Sequence, residues 1–374
     1  MKVNKYISVL LFVIALSVVL INFEPQQRIR SPRLGNPQMV LSESSFEIVI
    51  DGLWPLIENE VRFVLKSDLM SCSLKIDSVS SNVFTVSAPC ELSPGAYELK
   101  AEINGKWFIN PKAVFIYTEF PENYTIFHAA DLPDLDNGKS EKLLTALLND
   151  VRAEQAAILL LSGDVVYGGG AERYARFYKA IVELDIPVII CPGNHEREDW
   201  PIFVRDYPDL KHSNVFGELN IISLDSAYGC NQLTNNQLTW FEQQLQESVS
   251  GETIIQIHHP VVGDRSIERN QQRFIEILKK YNVAATVSGH AHADAFHTTD
   301  GVEWIEEELP PQPWLLTTTT YDFDFAPAAN GGLSFPGYRL LKFENNKLVS
   351  VGKLYEGGRS YMSERVNLKE KLNN

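Results

Sequence analysis

The sequence has few cysteines and no excess of positive charge. Its 374 residues include four cysteines, and no two of them form the Cys-x-x-Cys pair that is typical of a thiolate zinc site. Lysine and arginine number 33 against 48 aspartates and glutamates, which gives a formal net charge of -15. Because an acidic surface repels phosphate backbones, we expect no long nucleic acid among the partners of this chain.

Internal repeats and low-complexity tracts are also missing, and the composition is 44% hydrophobic and 22% charged. These values are ordinary for a folded globular protein and give no sign of disorder, of a fibre or of a multi-span membrane protein. A length of 374 residues leaves room for more than one domain.

The N-terminus carries an apolar run, Tyr6 to Phe23, behind the basic residues Lys2 and Lys5. A short basic flank before such a run is typical of an export signal. The run is also long enough for a single uncleaved membrane anchor, which needs about 20 residues; a buried core helix is the less favoured alternative. No Ala-x-Ala cleavage site and no lipoprotein cysteine follow the run, and Gln26 to Pro37 has the composition of a linker. We therefore expect an exported protein, either extracellular or periplasmic or held at the cell surface by the anchor.

Hydrophobic periodicity divides the rest of the chain into two predicted domains. Short alternating stretches such as Phe46 to Ile50 and Tyr97 to Ala101, separated by turn residues, predict a small β-sandwich of the immunoglobulin or fibronectin type. From Tyr124 onwards strands alternate with helices, which predicts an α/β domain. The predicted division is 1–35 for the signal or anchor with its linker, 36–119 for the β-sandwich, 120–362 for the α/β domain and 363–374 for a polar tail.

Two cysteines of the first domain, Cys72 and Cys90, bracket a predicted β-hairpin. Its strands would be Ser71 to Ile76 and Val83 to Ser87. Pairing of these strands would bring the two thiols opposite each other, and an exported protein permits disulfides. A cross-strand disulfide and two buried free thiols remain equal alternatives at this point.

Five polar clusters follow five predicted strands of the second domain. They are Asp131-Leu132-Pro133, Gly163-Asp164-Val165-Val166-Tyr167, Gly193-Asn194-His195-Glu196, His258-His259-Pro260 and Gly289-His290-Ala291-His292. Ligands of open α/β sheets bind beyond the carboxyl ends of the strands, so the clusters are expected to meet in one pocket. Asp and His are common ligands of zinc, iron and manganese. One such cluster is more often a turn or a structural histidine, but five in this arrangement predict a metal site.

The five motifs resemble those of the calcineurin-like metallophosphoesterase superfamily. The most specific parts are Gly193 to Glu196 and Gly289 to His292, and the resemblance covers roughly Tyr124 to Tyr355. It implies a four-layer α/β sandwich in which two mixed β-sheets pack face to face with helices outside. This domain would follow the small all-β sandwich.

The resemblance also implies two metal ions, their ligands and one catalytic residue. The implied ligands are Asp164 as the bridge between the metals, Asp131 and His292 at the first metal, and Asn194, His258 and His290 at the second. His195 would contact the phosphate or protonate the leaving group. His259 would either touch the substrate or support His258, and these two roles are held as equal.

The first motif departs from the common pattern, which is Asp-x-His with the histidine as a ligand. Pro133 stands at that place and cannot bind a metal. The purple acid phosphatase branch also lacks this histidine and supplies a tyrosine from Gly-Asp-x-x-Tyr, where Tyr167 stands here. A free tyrosine has a pKa of about 10, so a tyrosinate ligand predicts iron(III) with a divalent partner, which would be zinc, iron or manganese. Without Tyr167 as a ligand, two divalent ions are expected.

The implied reaction is hydrolysis of a small phosphate ester, with a metal-bound hydroxide attacking phosphorus. The first expectation is a phosphomonoesterase of the acid phosphatase type. The first alternative is a phosphodiesterase acting on nucleotides or lipid head groups, because both reactions use the same metal clamp. The second alternative, motivated by Pro133, is a non-catalytic surface-binding protein with a degraded metal site.

Overall fold

The computed structural model of the chain describes residues 28–52, 61–132, 138–207, 209–227, 231–248, 251–304, 309–320, 337–355 and 358–361. The predictions for the N-terminal apolar run, for Pro133 and for the polar tail lie outside the described residues. Over the ranges that are described, no helix combines the length and the apolar character that a membrane span needs.

The first part of the chain is all β, as the alternating pattern predicts. Its strands are β1 (Arg28–Ser31), β2 (Gln38–Leu41), β3 (Phe46–Asp51), β4 (Val61–Lys66), β5 (Ser71–Ser73), β6 (Lys75–Ser80), β7 (Val83–Ser87), β8 (Gly95–Ile103) and β9 (Lys106–Tyr117). They form a four-stranded sheet in the order β1-β3-β7-β6 and a five-stranded sheet in the order β2-β9-β8-β4-β5. Side chains alternate between the core and solvent, and the two sheets share one hydrophobic core in which the rings of Phe63 and Phe84 lie 5.1 Å apart.

The segment Gln26 to Pro37, predicted to be a linker, contains a β-strand from its first described residue. Arg28–Ser31 forms β1, which pairs antiparallel with β3, and Ile29 is buried in the sandwich core. Arg30 reaches into the second part of the chain and binds Asp209 through its Nε at 2.7 Å. These partners are distant in the sequence, so a composition rich in proline and arginine did not reveal them.

A disulfide joins Cys72 and Cys90, whose Cα atoms lie 6.7 Å apart. The predicted hairpin exists with Val83–Ser87 as its second strand, but its first strand is Lys75–Ser80. Ser71–Ser73 is a separate strand that pairs with β4 in the other sheet. The disulfide therefore fastens β5 to the loop after β7, and so links the two sheets. Cys191 is a buried free thiol.

The second part contains two mixed six-stranded sheets. The elements of the first sheet and its helices are β10 (Tyr124–Ala129), α1 (Gly138–Ala153), β11 (Ile158–Ser162), α2 (Ala171–Val182), β12 (Val188–Cys191), α3 (Trp200–Asp206), β19 (Gly337–Glu344), β20 (Lys347–Tyr355) and β21 (Gly358–Tyr361). Those of the second are β13 (His212–Phe216), β14 (Leu219–Ser223), α4 (Asn235–Glu247), β15 (Thr253–Gln256), α5 (Gln271–Lys280), β16 (Val283–Ser288), β17 (Ala295–His297) and β18 (Trp314–Thr317). The strand orders are β12-β11-β10-β19-β20-β21 and β13-β14-β15-β16-β18-β17.

Alternation along the central strands creates the layers. In β11, Ile158 and Leu160 point to a core that also contains Ile221 and Ile254 of the other sheet. Their neighbours on the opposite face of β11 pack in a core formed with α1 and α2, and a third core lies between the second sheet and helices α4 and α5. Strands buried on both faces need continuous apolar sequences, which β11 and β16 have. The predicted four-layer arrangement is confirmed.

Candidate metal centre

The five polar clusters meet at one edge of the two sheets, as predicted. The backbone N–H of Asp131 donates to the carbonyl of Gly163 at 3.2 Å, and the N–H of Leu132 donates to the carbonyl of Asp164 at 2.9 Å. In the second sheet, the N–H of Gly289 donates to the carbonyl of His258 at 2.8 Å. Backbone hydrogen bonds thus join the strand-end loops within each sheet, and the two sets of loops face each other.

Four of the predicted ligands stand on left-handed backbone, with φ of +52° at Asp131, +51° at Asp164, +64° at His290 and +50° at His292. Such a conformation costs a residue other than glycine roughly 1–3 kcal/mol, and it concentrates at functional sites. It turns each side chain sharply out of the strand direction. The structure therefore stores backbone strain at the residues that the sequence singled out.

Glycines beside these residues allow the loops to approach each other. A Cβ atom on Gly163 would lie 2.6 Å from Nδ1 of His258, and one on Gly289 would lie 2.5 Å from the Cβ of Ala130. Neither position has room for a side chain, so any larger residue would push the loops apart.

His258 lies at the centre of the group predicted to hold the second metal. Its Nδ1 donates to the carbonyl of Ser162 at 2.8 Å, so Nε2 faces Oδ1 of Asn194 and Oδ2 of Asp164, each at 3.1 Å. Ligand atoms of Asp164, His258 and His290 all lie within 4.8 Å of one another. A backbone carbonyl that fixes the ring orientation in this way is a usual feature of metal-binding histidines.

Asp131 is buried beside the same group, where the first metal is predicted. Its Oδ1 accepts from the N–H of His290 at 2.8 Å, whereas Oδ2 has no hydrogen-bond partner among the described residues. Burial raises the pKa of Asp131 to about 7, and the neighbouring Asp164 carboxylate adds to the rise. A buried carboxylate oxygen without a partner, close to a second carboxylate, fits a cation between them.

The imidazole rings of the centre differ in their pKa. Burial alone would lower the pKa of His258, but the charge and hydrogen bond of Asp164 raise it to about 9. The same contacts hold the pKa of Asp164 below its usual range in spite of burial. Burial lowers the pKa of His290 to about 3 and of His292 to about 4. Neutral rings are the form in which histidine binds metals.

His195 lies at the mouth of the centre. Its backbone N–H donates to Oδ1 of Asp164 at 2.9 Å, its Nδ1 lies 2.8 Å from Oε1 of Glu198, and its Nε2 lies 3.9 Å from Oδ2 of Asp164. The ring of Tyr167 packs against it with centroids 4.3 Å apart and is 37% exposed. Tyr167 is thus close to the predicted catalytic residue, and its binding to a metal stays a prediction.

His259 is turned inward, and its ring packs on that of His290 at 4.1 Å. Ser226 accepts hydrogen bonds from the backbone N–H groups of His258 and His259, and its Oγ also lies 3.0 Å from Nδ1 of His259. An exposure of only 1% favours a supporting role for His259 over contact with substrate. Ser226 gave no signal in the sequence, because it follows β14 without a recognisable motif.

Glu196 is the residue whose role sequence reasoning missed. Its carboxylate accepts from the backbone N–H groups of Gly193 at 2.6 Å, Asp164 at 2.8 Å and Val165 at 2.9 Å. Burial and the charge of Asp164 raise its pKa to about 7. It binds the Gly-Asp loop to the Gly-Asn-His-Glu loop, and its place at the end of the latter motif was the available signal.

Arg265 is a second residue that the motifs did not indicate. Its Nη1 lies 3.4 Å from the carbonyl of His290, and its charge contributes to the lowered pKa of His292. Within the described ranges it forms no ion pair with a carboxylate. It therefore brings a free positive charge to the edge of the centre.

Residues 124–294 match the family model described as calcineurin-like phosphoesterase. A probable glycerophosphodiester phosphodiesterase of Arcobacter nitrofigilis is 27% identical over 36% of this chain and 56% of its own length. A probable cyclic nucleotide phosphodiesterase of Vesicomyosocius okutanii is 25% identical over 49% and 84%. A 3',5'-cyclic adenosine monophosphate phosphodiesterase of Haemophilus influenzae is 25% identical over 51% and 78%.

Among solved structures, a dimetal phosphatase from Danio rerio overlaps with 63% of this chain and 96% of its own at a TM-score of 0.44 and 15% identity. The chain spans 56% of the length of the Arcobacter relative, so only part of that protein is matched. The matched part contains all five motif clusters. Over residues 124–294, which are just under half of the chain, the protein is thus similar to the calcineurin-like phosphoesterases.

Proposed function

We propose that the chain is a phosphodiesterase with a dinuclear metal centre, and that cyclic nucleotides are its substrate class. The cluster of Asp164, His258 and His290 within 4.8 Å carries the hydrolytic part of the proposal. The diester part is supported by relatives that are named cyclic nucleotide and glycerophosphodiester phosphodiesterases. Phosphodiester hydrolysis, an alternative at the level of the sequence, thus replaces monoester hydrolysis as the leading function.

The residues present fit two metal ions. Asp131, Asp164 and His292 would hold one, and Asp164 would be shared with a second held by Asn194, His258 and His290. Two bound ions would supply the positive charge that polarises a phosphate and lowers the pKa of a nearby water molecule. We favour two divalent ions over an iron(III) pair, because Tyr167 packs its ring on His195 and is 37% exposed.

The chain's own residues would orient the substrate and move one proton. His195 is held between Glu198 and the Asp164 carboxylate. From this place it can contact a phosphate oxygen or donate a proton to the leaving oxygen. Arg265, which forms no ion pair with any described carboxylate, offers a positive charge at the same edge, where it can attract the phosphate before His195 acts.

The test compares two ester types on one metal-loaded preparation of the full chain in detergent. Cyclic AMP and bis(4-nitrophenyl) phosphate should be hydrolysed with a kcat/KM at least about tenfold above that of 4-nitrophenyl phosphate, since a site built for one charge state rejects the other. The reverse ratio would make the chain a monoesterase. No turnover of any ester by a two-metal sample would support the non-catalytic binding protein instead.

A phosphomonoesterase remains the second candidate, because Tyr167 occupies the tyrosine position of the acid phosphatase pattern and lies against His195. We also propose that the N-terminal run exports or anchors the chain and that the predicted divisions at residues 119 and 362 separate its domains. Fusing an alkaline phosphatase reporter after the run and measuring its activity in bacterial cells would test export.

A further inference from the structure

Four arginines gather where β1 meets the end of α3. Three of them have a carboxylate partner: Arg28 with Asp51 at 3.0 Å, Arg30 with Asp209 at 2.7 Å and Arg205 with Asp206 at 2.5 Å. Arg33 is the fourth, and among the described residues it has no carboxylate partner. The acidic groups of the neighbourhood are already bound to the other three arginines.

Arg33 is also deeply buried, with 7% of its surface exposed. Its Nη2 donates to the backbone carbonyl of Arg205 near the end of α3, and its Nε has no partner. The end of a helix offers only about half a negative charge. A buried guanidinium with this incomplete compensation is unfavourable, so the position calls for a further anionic group.

Arg33 lines a cleft with a volume of about 480 Å³ between β1, β9, α2 and the end of α3. The walls are mainly apolar and aromatic, with Ile29 and Phe108 on the sandwich side and Tyr174 and Tyr178 on α2. The hydroxyl of Tyr174 is buried and, like Nε of Arg33, has no hydrogen-bond partner among the described residues. The volume lies in the range of small-molecule sites, which combine apolar walls with a few polar groups.

We propose that this cleft is a second binding site, separate from the metal centre, for a small organic anion. The carboxylate or phosphate of the ligand would pair with Arg33 and accept a hydrogen bond from Tyr174. Its flat apolar body would lie between Phe108 and Tyr178. Water alone would satisfy the two polar atoms but would leave the apolar walls wet.

The site would communicate with the metal centre through two helices. Tyr174 belongs to α2, which follows the Gly163-to-Tyr167 loop, and the carbonyl bound by Arg33 belongs to α3, which follows the Gly193-to-Glu196 loop. A ligand on Arg33 and Tyr174 would hold both helices in place. The proposal does not depend on which ester the metal centre hydrolyses.

The experiment measures binding of benzoate, phenylphosphonate and inorganic phosphate to the full chain by calorimetry. EDTA treatment and the Asp164→Asn variant remove anion binding at the metal centre. One saturable site for at least one of the two aromatic anions is expected, and Arg33→Gln should weaken it by about tenfold or more, the value of a hydrogen bond to a charged group. Benzoate against phenylphosphonate distinguishes a carboxylate from a phosphate ligand.

Two tryptophan variants keep the test decisive if Arg33→Gln does not fold. Ile109→Trp fills the cleft from its half-exposed rim and should abolish binding, whereas Val79→Trp, on an exposed strand of the same sandwich, should leave it unchanged. Binding that is equal in wild type, Arg33→Gln and Ile109→Trp would overturn the proposal. Absence of saturable binding of the aromatic anions to the wild type would do the same and would assign the cleft to water.

Discussion

The ligands around His258 and the ligands around Asp131 are held in different ways. Both ring nitrogens of His258 have protein partners, and a carbonyl fixes the orientation of the ring. Asp131 has one oxygen bound to a backbone N–H and one that lacks a hydrogen-bond partner among the described residues, and His292 is half-buried. The His258 side is therefore preorganised, whereas a bound cation would complete the Asp131 side. We expect two metal ions that bind with different affinities, the tighter one beside His258.

The largest effect is expected from Asp164→Ala, which removes the residue shared by both sides. Both metals should be lost, and diester hydrolysis should fall by more than about 1000-fold, because loss of a metal ligand's outer partner alone costs about 10- to 100-fold. Metal analysis and kcat/KM on the same sample provide the measurement. Asp185→Ala, on an exposed aspartate paired with Lys112, is the matched control and should behave as wild type. Two metals retained in Asp164→Ala would mean that the ligand set is misassigned.

His195→Ala should separate chemistry from metal binding. His195 touches Asp164 only through its backbone N–H and a 3.9 Å contact, so both metals should stay. The kcat should fall by about 100- to 10,000-fold, the range for loss of a general acid or base. Metal content and steady-state rates are the readouts. A variant that loses metal together with activity would show that His195 is a ligand and not the proton donor.

Glu196→Ala should weaken both sides of the centre and the fold at once. Three buried backbone N–H groups would lose their acceptor, which we expect to reduce the free energy of unfolding by about 3 kcal/mol. Urea unfolding of the metal-free protein measures this loss, and Glu198→Ala, on an exposed neighbour, serves as the control. An unchanged unfolding free energy would mean that water replaces the carboxylate and that the two loops hold each other without it.

His212, a buried histidine outside the centre, is expected to have the smallest effect at neutral pH. Burial lowers the pKa of His212 to about 4, and its Nε2 has no partner among the described residues. Because folding lowers the pKa of His212, the unfolded chain takes up the proton at a higher pH than the folded chain does. The contribution of neutral His212 to the free energy of unfolding should therefore be fully present above pH 6.5. It should be lost as the pH falls towards 4, which lowers the free energy of unfolding by up to about 3 kcal/mol. Urea titrations at pH 7 and pH 4.5 measure how much the free energy of unfolding falls between the two pH values. This fall should be smaller in the His212→Gln variant than in the wild type. An equal fall in both proteins would contradict the assignment.

The sequence predicted the layers and the chemistry of the centre but not its supports. The five clusters and the strands before them were visible because apolar runs and polar strand ends are local signals. The apolar periodicity of Ile267 to Tyr281 predicts a helix over that range, but α5 begins four residues later at Gln271, since Asn270 takes left-handed backbone. Helix α3 was not predicted at all, because seven residues give too little periodicity.

Local sequence patterns did not predict the contacts between distant segments of the chain. The pairing of β1 with β3 and the contact of Arg30 with Asp209 join residues that no motif connects. Ser226 behind the two adjacent histidines and Glu196 across two loops act through backbone N–H groups, which leave no pattern of side chains to read. The same holds for Arg33, whose lack of a carboxylate partner in the described part of the chain is revealed only by its folded surroundings.

A metal titration of the EDTA-treated full chain, with bis(4-nitrophenyl) phosphate hydrolysis followed in the same samples, tests the dinuclear centre most directly. We expect saturation at two ions per chain, in two steps of different affinity, and activity that appears only with the second step. Saturation at one ion, or full activity after the first, would contradict a dinuclear centre built on Asp164.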